Sequence, residues 1–137
     1  MIAIPSTVRV FLATEPQDFR KSIDGLAAVV QSHLQHDALN GDVFVFHNRR
    51  CTALKVLSWD HGGFCLVYKR LERGRVRLPR LHSSRRDVTL SAAEFTALFE
   101  GIDLSRARRL PRWNPRREPA DKSPNWTVVG QLSTSYG

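Results

Sequence analysis

Three apolar runs joined by very short connections constrain the fold of this chain more than any other feature. The runs are Val43–Phe46, Ala53–Trp59 and Phe64–Lys69, and the turn signals Asn48–Arg50 and Asp60–Gly63 separate them. Strands joined by so few residues pair with antiparallel neighbours, because a parallel connection needs a dozen residues or more. The sequence therefore predicts an antiparallel meander in the middle of the protein.

A strand and a helix are expected before the meander. Thr7–Leu12 begins with apolar and polar residues in alternation, which is typical of a strand. Asp18–His36 carries apolar residues at three- and four-residue spacing and is predicted to be an amphipathic helix. A further strand is expected after the meander at Arg75–Leu78, where basic and apolar residues alternate.

A short helix is predicted near residue 91. Ser91 can cap its first turn, and Glu94, three residues on, completes a capping box. Gly101 is suited to end it. The expected fold class is α+β: a small antiparallel sheet of four to five strands, one main helix packed on it and a short C-terminal helix. We expect residues 1–105 to form this single domain and residues 106–137 to form a basic, Pro/Arg-rich, weakly ordered tail.

Positive charge is concentrated in the central part of the chain. Arg49–Arg86 contains eleven lysines and arginines and only two acids, a local net charge of +9, within a chain whose formal net charge is +8. Binding of phosphates releases counterions, so a basic surface of this kind favours DNA or RNA as a partner. A membrane surface is the weaker alternative, and no membrane-spanning run or signal segment is recognised.

The candidate nucleic-acid contacts are cations of this central block. They are Arg49, Arg50, Lys55, Lys69, Arg70, Arg73, Arg75 and Arg77. Further candidates are Arg20 and Lys21 at the start of the first helix and Arg108, Arg109 and Arg112 in the tail. The alternative interpretations are a solvated hairpin tip that protects a sheet edge, a charged outer helix face and a solubilising terminus.

The sequence favours binding over catalysis. Asp60 and His61 lie together in a turn, where an aspartate usually caps backbone amides and a histidine is exposed. No spacing of carboxylates suggests a two-metal site, so we expect no metal, no cofactor and no enzymatic activity. The two cysteines, Cys51 and Cys65, are interpreted as buried thiols in a reducing compartment, the bacterial cytoplasm.

Several motifs together resemble one protein family. They are Asp18-Phe19-Arg20-Lys21-Ser22-Ile23-Asp24-Gly25-Leu26, Phe44–Arg50, Leu54–Asp60, Gly63-Phe64, Lys69–Glu72 and Gly74-Arg75, in this order. In combination they resemble the accessory protein encoded by the second open reading frame of insertion-sequence family 66, of the TnpB type. The RNA-guided nuclease that shares this label is much longer. The resemblance covers about residues 2–113.

The resemblance implies a role in the transposition of a bacterial mobile element, beside a separate and larger transposase and another accessory protein. It carries over no catalytic residue and no cofactor. The leading hypothesis is a non-catalytic DNA-binding accessory protein. The alternative is a protein–protein interaction module that docks on the transposase without touching DNA, and a nuclease is the third hypothesis.

Overall fold

The structure, a computed structural model, describes residues 7–82 and 84–103. Within them the element order is β1 (Val10–Ala13), α1 (Ile23–Ala28) with a π-helical turn (Val29–His33), β2 (Val43–His47), β3 (Ala53–Asp60), β4 (Gly63–Arg70), β5 (Asp87–Leu90) and α2 (Ala92–Glu100). The predicted tail, residues 106–137, lies outside the described residues. No helix in the described part of the chain is long and apolar enough to cross a membrane.

The five strands form one sheet in the order β4-β3-β2-β1-β5. The predicted meander is confirmed, since β2 pairs antiparallel with β3 and β3 with β4. The sheet as a whole is mixed, because β1 lies parallel to β2 with Val10 beside Val43. The connection from Ala13 to Val43 contains α1 and is long enough for a parallel crossover, whereas only the short connections impose antiparallel pairing. The α+β fold class is confirmed.

Several elements differ from the sequence-based predictions, and the first strand begins at Val10 instead of Thr7. The first helix starts at Ile23 instead of Asp18, because the preceding residues form turns that pack against β2 and β3. The predicted strand Arg75–Leu78 is wrong: this segment is irregular and returns to the end of the sheet. The fifth strand is Asp87–Leu90 instead, which pairs antiparallel with β1. Asp87–Leu90 alternates polar and apolar residues, which is a strand signal of the minimum length.

The two faces of the sheet bury two separate apolar clusters. On one face, Phe11, Phe44, Phe46 and Leu57 pack under Leu26 of α1, Val30 of the π-helical turn and Leu34 directly after it. On the other face, Val10, Leu12, Val45 and Val56 pack under α2, which contributes Phe95 and Leu98. Successive side chains of a strand point to opposite faces, so the continuous apolar run of β2 supplies both clusters. The sheet is therefore covered by a helix on each side.

Helix α2 has the ends that the sequence predicts. Ser91 accepts a hydrogen bond from the Glu94 amide, and the Glu94 carboxylate accepts one from the Ser91 amide at 2.7 Å. Gly101 ends the helix at φ 81°, a left-handed conformation that glycine adopts without a steric cost. Packing of Phe95 and Leu98 places α2 on the sheet, with its C-terminal end close to the end of β4.

Candidate nucleic-acid interface

One end of the sheet brings together four segments that are separate in the sequence, three of them with a net positive charge. Strands β1, β2 and β4 run in one direction and β3 and β5 in the other. The residues after β1, β2 and β4 and those before β3 and β5 therefore all meet at this end. We call it the basic end, formed by residues 14–22, 48–52, 70–77 and 84–86. Backbone hydrogen bonds tie these segments together: Gln17 N to His47 O at 2.9 Å, and Thr14 N to Arg86 O at 3.0 Å.

The turn between β2 and β3 is held rigidly and presents two arginines. The Asn48 side chain accepts hydrogen bonds from the Thr52 amide at 2.8 Å and the Ala53 amide at 3.2 Å, and it donates to the Thr52 hydroxyl at 2.9 Å. Arg49 and Arg50 occupy the tip of this turn and are exposed. The asparagine thereby fixes the backbone from which both guanidinium groups extend.

The segment after β4 folds back onto the same turn. Leu71 donates its amide to Thr52 O at 2.8 Å, and Val76 donates its amide to Cys51 O at 2.7 Å. Gly74, at φ 76°, makes the reversal between these two contacts. Arg73 and Arg75 lie within the resulting loop and are exposed. Two loops that are separate in sequence are therefore joined at the basic end.

Four of the predicted contact residues keep their charge available. Among residues 7–82 and 84–103, no acid forms an ion pair with Arg49, Arg50, Arg73 or Arg75. All four are exposed and come from the two joined loops. Guanidinium groups of this kind can donate two hydrogen bonds to one phosphate, so they form the centre of the candidate interface.

Lys55 belongs to the interior of the protein, and we correct its assignment as a surface contact. The residue is 6% exposed, and its Nζ donates to Phe19 O at 2.9 Å and Lys21 O at 2.7 Å. The ammonium also lies 5.1 Å from the ring centre of Phe19 and 5.2 Å from that of Tyr68. Lys55 therefore ties the loop before α1 to β3 and is not available to a ligand.

Lys69 and Arg70 point to opposite faces of the sheet. The register pairs Lys69 with Leu54 on the α2 face and Arg70 with Ala53 on the α1 face. Lys69 donates its ammonium group to the Phe99 carbonyl at the end of α2 and lies 5.0 Å from the Phe99 ring centre. Its charge thus complements the negative end of the α2 dipole. Lys69 is accordingly a weaker candidate than the four unpaired arginines.

Three further arginines form ion pairs at the surface. Arg70 contacts Glu72 at 2.9 Å, Arg77 contacts Asp103 at 3.4 Å, and Arg20 contacts Asp18 at 2.6 Å. Hydrogen bonds from Arg20 hold the pKa of the Asp18 carboxyl well below its usual range. These pairs are exposed, and exposed pairs contribute little and exchange readily, so each arginine can still turn to a phosphate at the cost of its acid partner.

The structure adds Arg85 and Arg86 to the basic end, where Lys21 also lies. Both arginines are exposed and directly precede β5; Arg86 donates to His33 O at 2.8 Å. Both arginines belong to the basic block Arg49–Arg86 but are not among the predicted contacts, because no strand is predicted directly after them. The alternation of polar and apolar residues in Asp87–Leu90 is the sequence signal that could have indicated this strand. The remaining candidates, Arg108, Arg109 and Arg112, lie outside the described residues.

The Asp60–His61 turn lies at the opposite end of the sheet. The two side chains approach to 3.4 Å and are exposed. Within residues 7–82 and 84–103, no group of three histidines, cysteines or acids is placed to hold a metal ion. The functional groups that stand out on the described surface are therefore the unpaired guanidinium groups of the basic end. Such groups bind anions and stay protonated at neutral pH.

Comparison with known proteins gives one family. A family model described as IS66 Orf2 like protein matches residues 8–109. The uncharacterized protein y4jC of Sinorhizobium fredii (strain NBRC 101917 / NGR234) is 37% identical over 117 residues, which cover 85% of this chain and 98% of the relative. The uncharacterized protein y4hO of the same strain is 35% identical over 117 residues, with the same shares covered. No solved structure matches the chain.

Proposed function

The chain belongs to the IS66 Orf2 like family of insertion-sequence proteins, and from this premise we propose that it is a non-catalytic accessory protein that binds DNA through its basic end. A separate, element-encoded transposase carries out the strand chemistry in this proposal. The present chain holds the phosphate backbone for it, in the bacterial cytoplasm. Most contacts are to phosphate, so binding is strongly salt-dependent and only weakly sequence-specific.

The observation that carries this proposal is the junction of the two arginine loops. Backbone hydrogen bonds from Leu71 and Val76 to the β2–β3 turn place Arg49, Arg50, Arg73 and Arg75 at one end of the sheet. No acid in the described ranges pairs with them, so binding a phosphate costs no internal ion pair. The loops are braced by backbone and asparagine contacts, which lowers the conformational entropy lost on binding.

A titration of DNA binding against salt tests the proposal. The variant Arg49→Ala with Arg75→Ala removes one unpaired guanidinium from each loop. Each lost phosphate contact should reduce the slope of log K against log salt by about 0.9, so the double variant should lose about 1.8 units of slope. Affinity at low salt should fall together with the slope, for element-end DNA and for random DNA alike.

A matched control separates a local contact from an effect of net charge. Leu39→Asp with His61→Asp also lowers the net charge by two, but both positions are exposed and lie away from the basic end. We expect this control to keep the salt slope of the unchanged protein. If both double variants alter binding equally, or if neither does, the basic end is not the DNA site.

Docking on an acidic face of the transposase is the outcome that would replace DNA binding. Cell extracts can be treated with nuclease before the chain is purified with its partners. Loss of the transposase after DNA digestion supports a DNA-mediated complex, whereas its retention, together with an unchanged salt slope in the Arg49→Ala, Arg75→Ala variant, supports direct protein–protein contact.

A further inference from the structure

Strand β4 lies at one edge of the sheet that the described residues form, and it is unusually open. It is eight residues long, and in the described part of the chain its only strand neighbour is β3. Its central residues Phe64–Tyr68 contain no charge, glycine or proline. Val67 is 37% exposed and Tyr68 56%, and Cys65 is also exposed, which corrects its interpretation as a buried thiol. Natural edge strands of this length are normally blocked by charges, bulges or a covering element.

We propose that β4 pairs antiparallel with β4 of a second copy of the chain, with the two Leu66 residues facing each other on a two-fold axis. The axis is perpendicular to the sheet, so each side chain stays on its own face. Residues that face each other must therefore differ by an even number. This geometry permits only registers centred on a residue, of which Cys65, Leu66 and Val67 are the central candidates.

The apolar content of the strand selects the register centred on Leu66. Phe64 then faces Tyr68 of the second copy on the α1 face, and Cys65 faces Val67 on the α2 face. All five uncharged residues are matched with one another, and aromatic and aliphatic cross-strand pairs stabilise a sheet. Centring on Val67 would instead put Lys69 beside Cys65, and centring on Cys65 would put Tyr68 beside Gly62.

Charge also fits the Leu66 register. Lys69 and Arg70 come to lie beside Gly63 and Gly62 of the second copy, so neither cation faces a like charge across the strand pair. The two Arg70 residues are eight strand positions apart, about 27 Å at 3.4 Å per residue. That separation exceeds the screening length of about 8 Å at physiological salt, so the like charges do not oppose pairing.

In the dimer the two five-stranded sheets of the described residues join into one sheet, whose two basic ends point in opposite directions. If the proposed function holds, one dimer can hold two separate polyanion segments at once. This consequence rests on the proposed DNA binding. The pairing of β4 does not, and it is tested without nucleic acid.

Cysteine cross-linking tests the pairing and its register. The chain has two cysteines, so Cys51→Ser leaves Cys65 alone. Adding Val67→Cys creates the pair 65 and 67, which the Leu66 register places opposite each other at a distance that suits a disulfide. Oxidation by air with copper–phenanthroline should link this variant into dimers, and peptide mass spectrometry should find the 65–67 link.

Two single-cysteine controls decide the register. One carries Cys51→Ser alone, and the other carries Cys51→Ser, Cys65→Ser and Val67→Cys. Neither should cross-link efficiently, because in the Leu66 register neither position faces the same position of the second copy. Efficient linking of the first would indicate the Cys65 register and that of the second the Val67 register. Either result, or no cross-link in any variant, overturns the proposal.

The mass in solution gives a second measurement on the full chain. Light scattering should report twice the 15.6 kDa chain mass, and Val67→Lys should raise the dimer dissociation constant by roughly tenfold or more, because it places a charge in two symmetric apolar pairs. The matched control is Thr89→Lys on β5, the other sheet edge, which should leave the dimer intact. A monomer in the unchanged protein, or equal effects of both variants, contradicts β4 pairing.

Discussion

Replacing Lys55 with methionine should destabilise the protein strongly while leaving its proposed DNA binding intact. Methionine has a similar length and can fill the same space, but it cannot donate hydrogen bonds. The change would leave Phe19 O and Lys21 O without the donor that now lies 2.9 and 2.7 Å away. It would also remove the ammonium from the rings of Phe19 and Tyr68.

The size of the effect follows from these contacts. A hydrogen bond to a charged group contributes about 1.5–3 kcal/mol, and a partly buried cation–π contact about 1 kcal/mol. The methionine recovers part of this by burying an apolar side chain at a site that is 6% exposed. We therefore expect a net loss of about 2–4 kcal/mol in the free energy of unfolding, which corresponds to a urea midpoint lower by about 1–3 M.

Urea unfolding followed by circular dichroism measures the loss, and the control is Arg49→Met on the exposed β2–β3 turn. That control should change the free energy of unfolding by less than about 0.5 kcal/mol. DNA binding is measured at urea concentrations below the unfolding range, and there the variant with the larger effect should be Arg49→Met instead of Lys55→Met. Arg49→Met should lower the salt slope by about 0.9, and Lys55→Met should leave it unchanged.

Two results would refute the reasoning. If Lys55→Met unfolds at the urea midpoint of the unchanged protein, the lysine does not hold the loop before α1. If the folded Lys55→Met variant shows the same loss of salt slope as Arg49→Met, the ammonium reaches a phosphate after all. The combination of both measurements therefore distinguishes an internal brace from a surface contact.

Two further predictions concern local contacts. Asp18 has a folded-state pKa below its unfolded value, so its pair with Arg20 stabilises the protein above about pH 4, and that contribution is lost as the pH falls through the lower folded value. The urea midpoints at pH 7 and pH 3 should therefore differ less in Asp18→Asn than in the unchanged protein. An equal difference in the two proteins would contradict the assignment. Ser91→Ala should lower the free energy of unfolding by about 1 kcal/mol because it removes the N-cap acceptor of α2, whereas Ser91→Asp should retain most of it in the same assay.

Elements defined by contacts close in sequence were predictable. The meander follows from short turns between apolar runs, and the confirmed capping box of α2 lies within four residues. The start of the first helix was less predictable, since Phe19 fits its apolar spacing but lies in a turn held by Lys55. The parallel pairing of β1 with β2 was missed for a related reason. A long connection is compatible with either direction, and the packing of α1 decides between them.

The candidate site shows the same division. Sequence composition alone determined that the central block is basic, that it surrounds the strands and that its motifs resemble an insertion-sequence family. Which cations remain available was decided only by the tertiary structure. The acceptors that occupy Lys55 and Lys69 are carbonyls of Phe19, Lys21 and Phe99, between 30 and 36 residues away in the chain. A charge is counted in the sequence, but its hydrogen-bond partner exists only once distant backbone segments have been brought together.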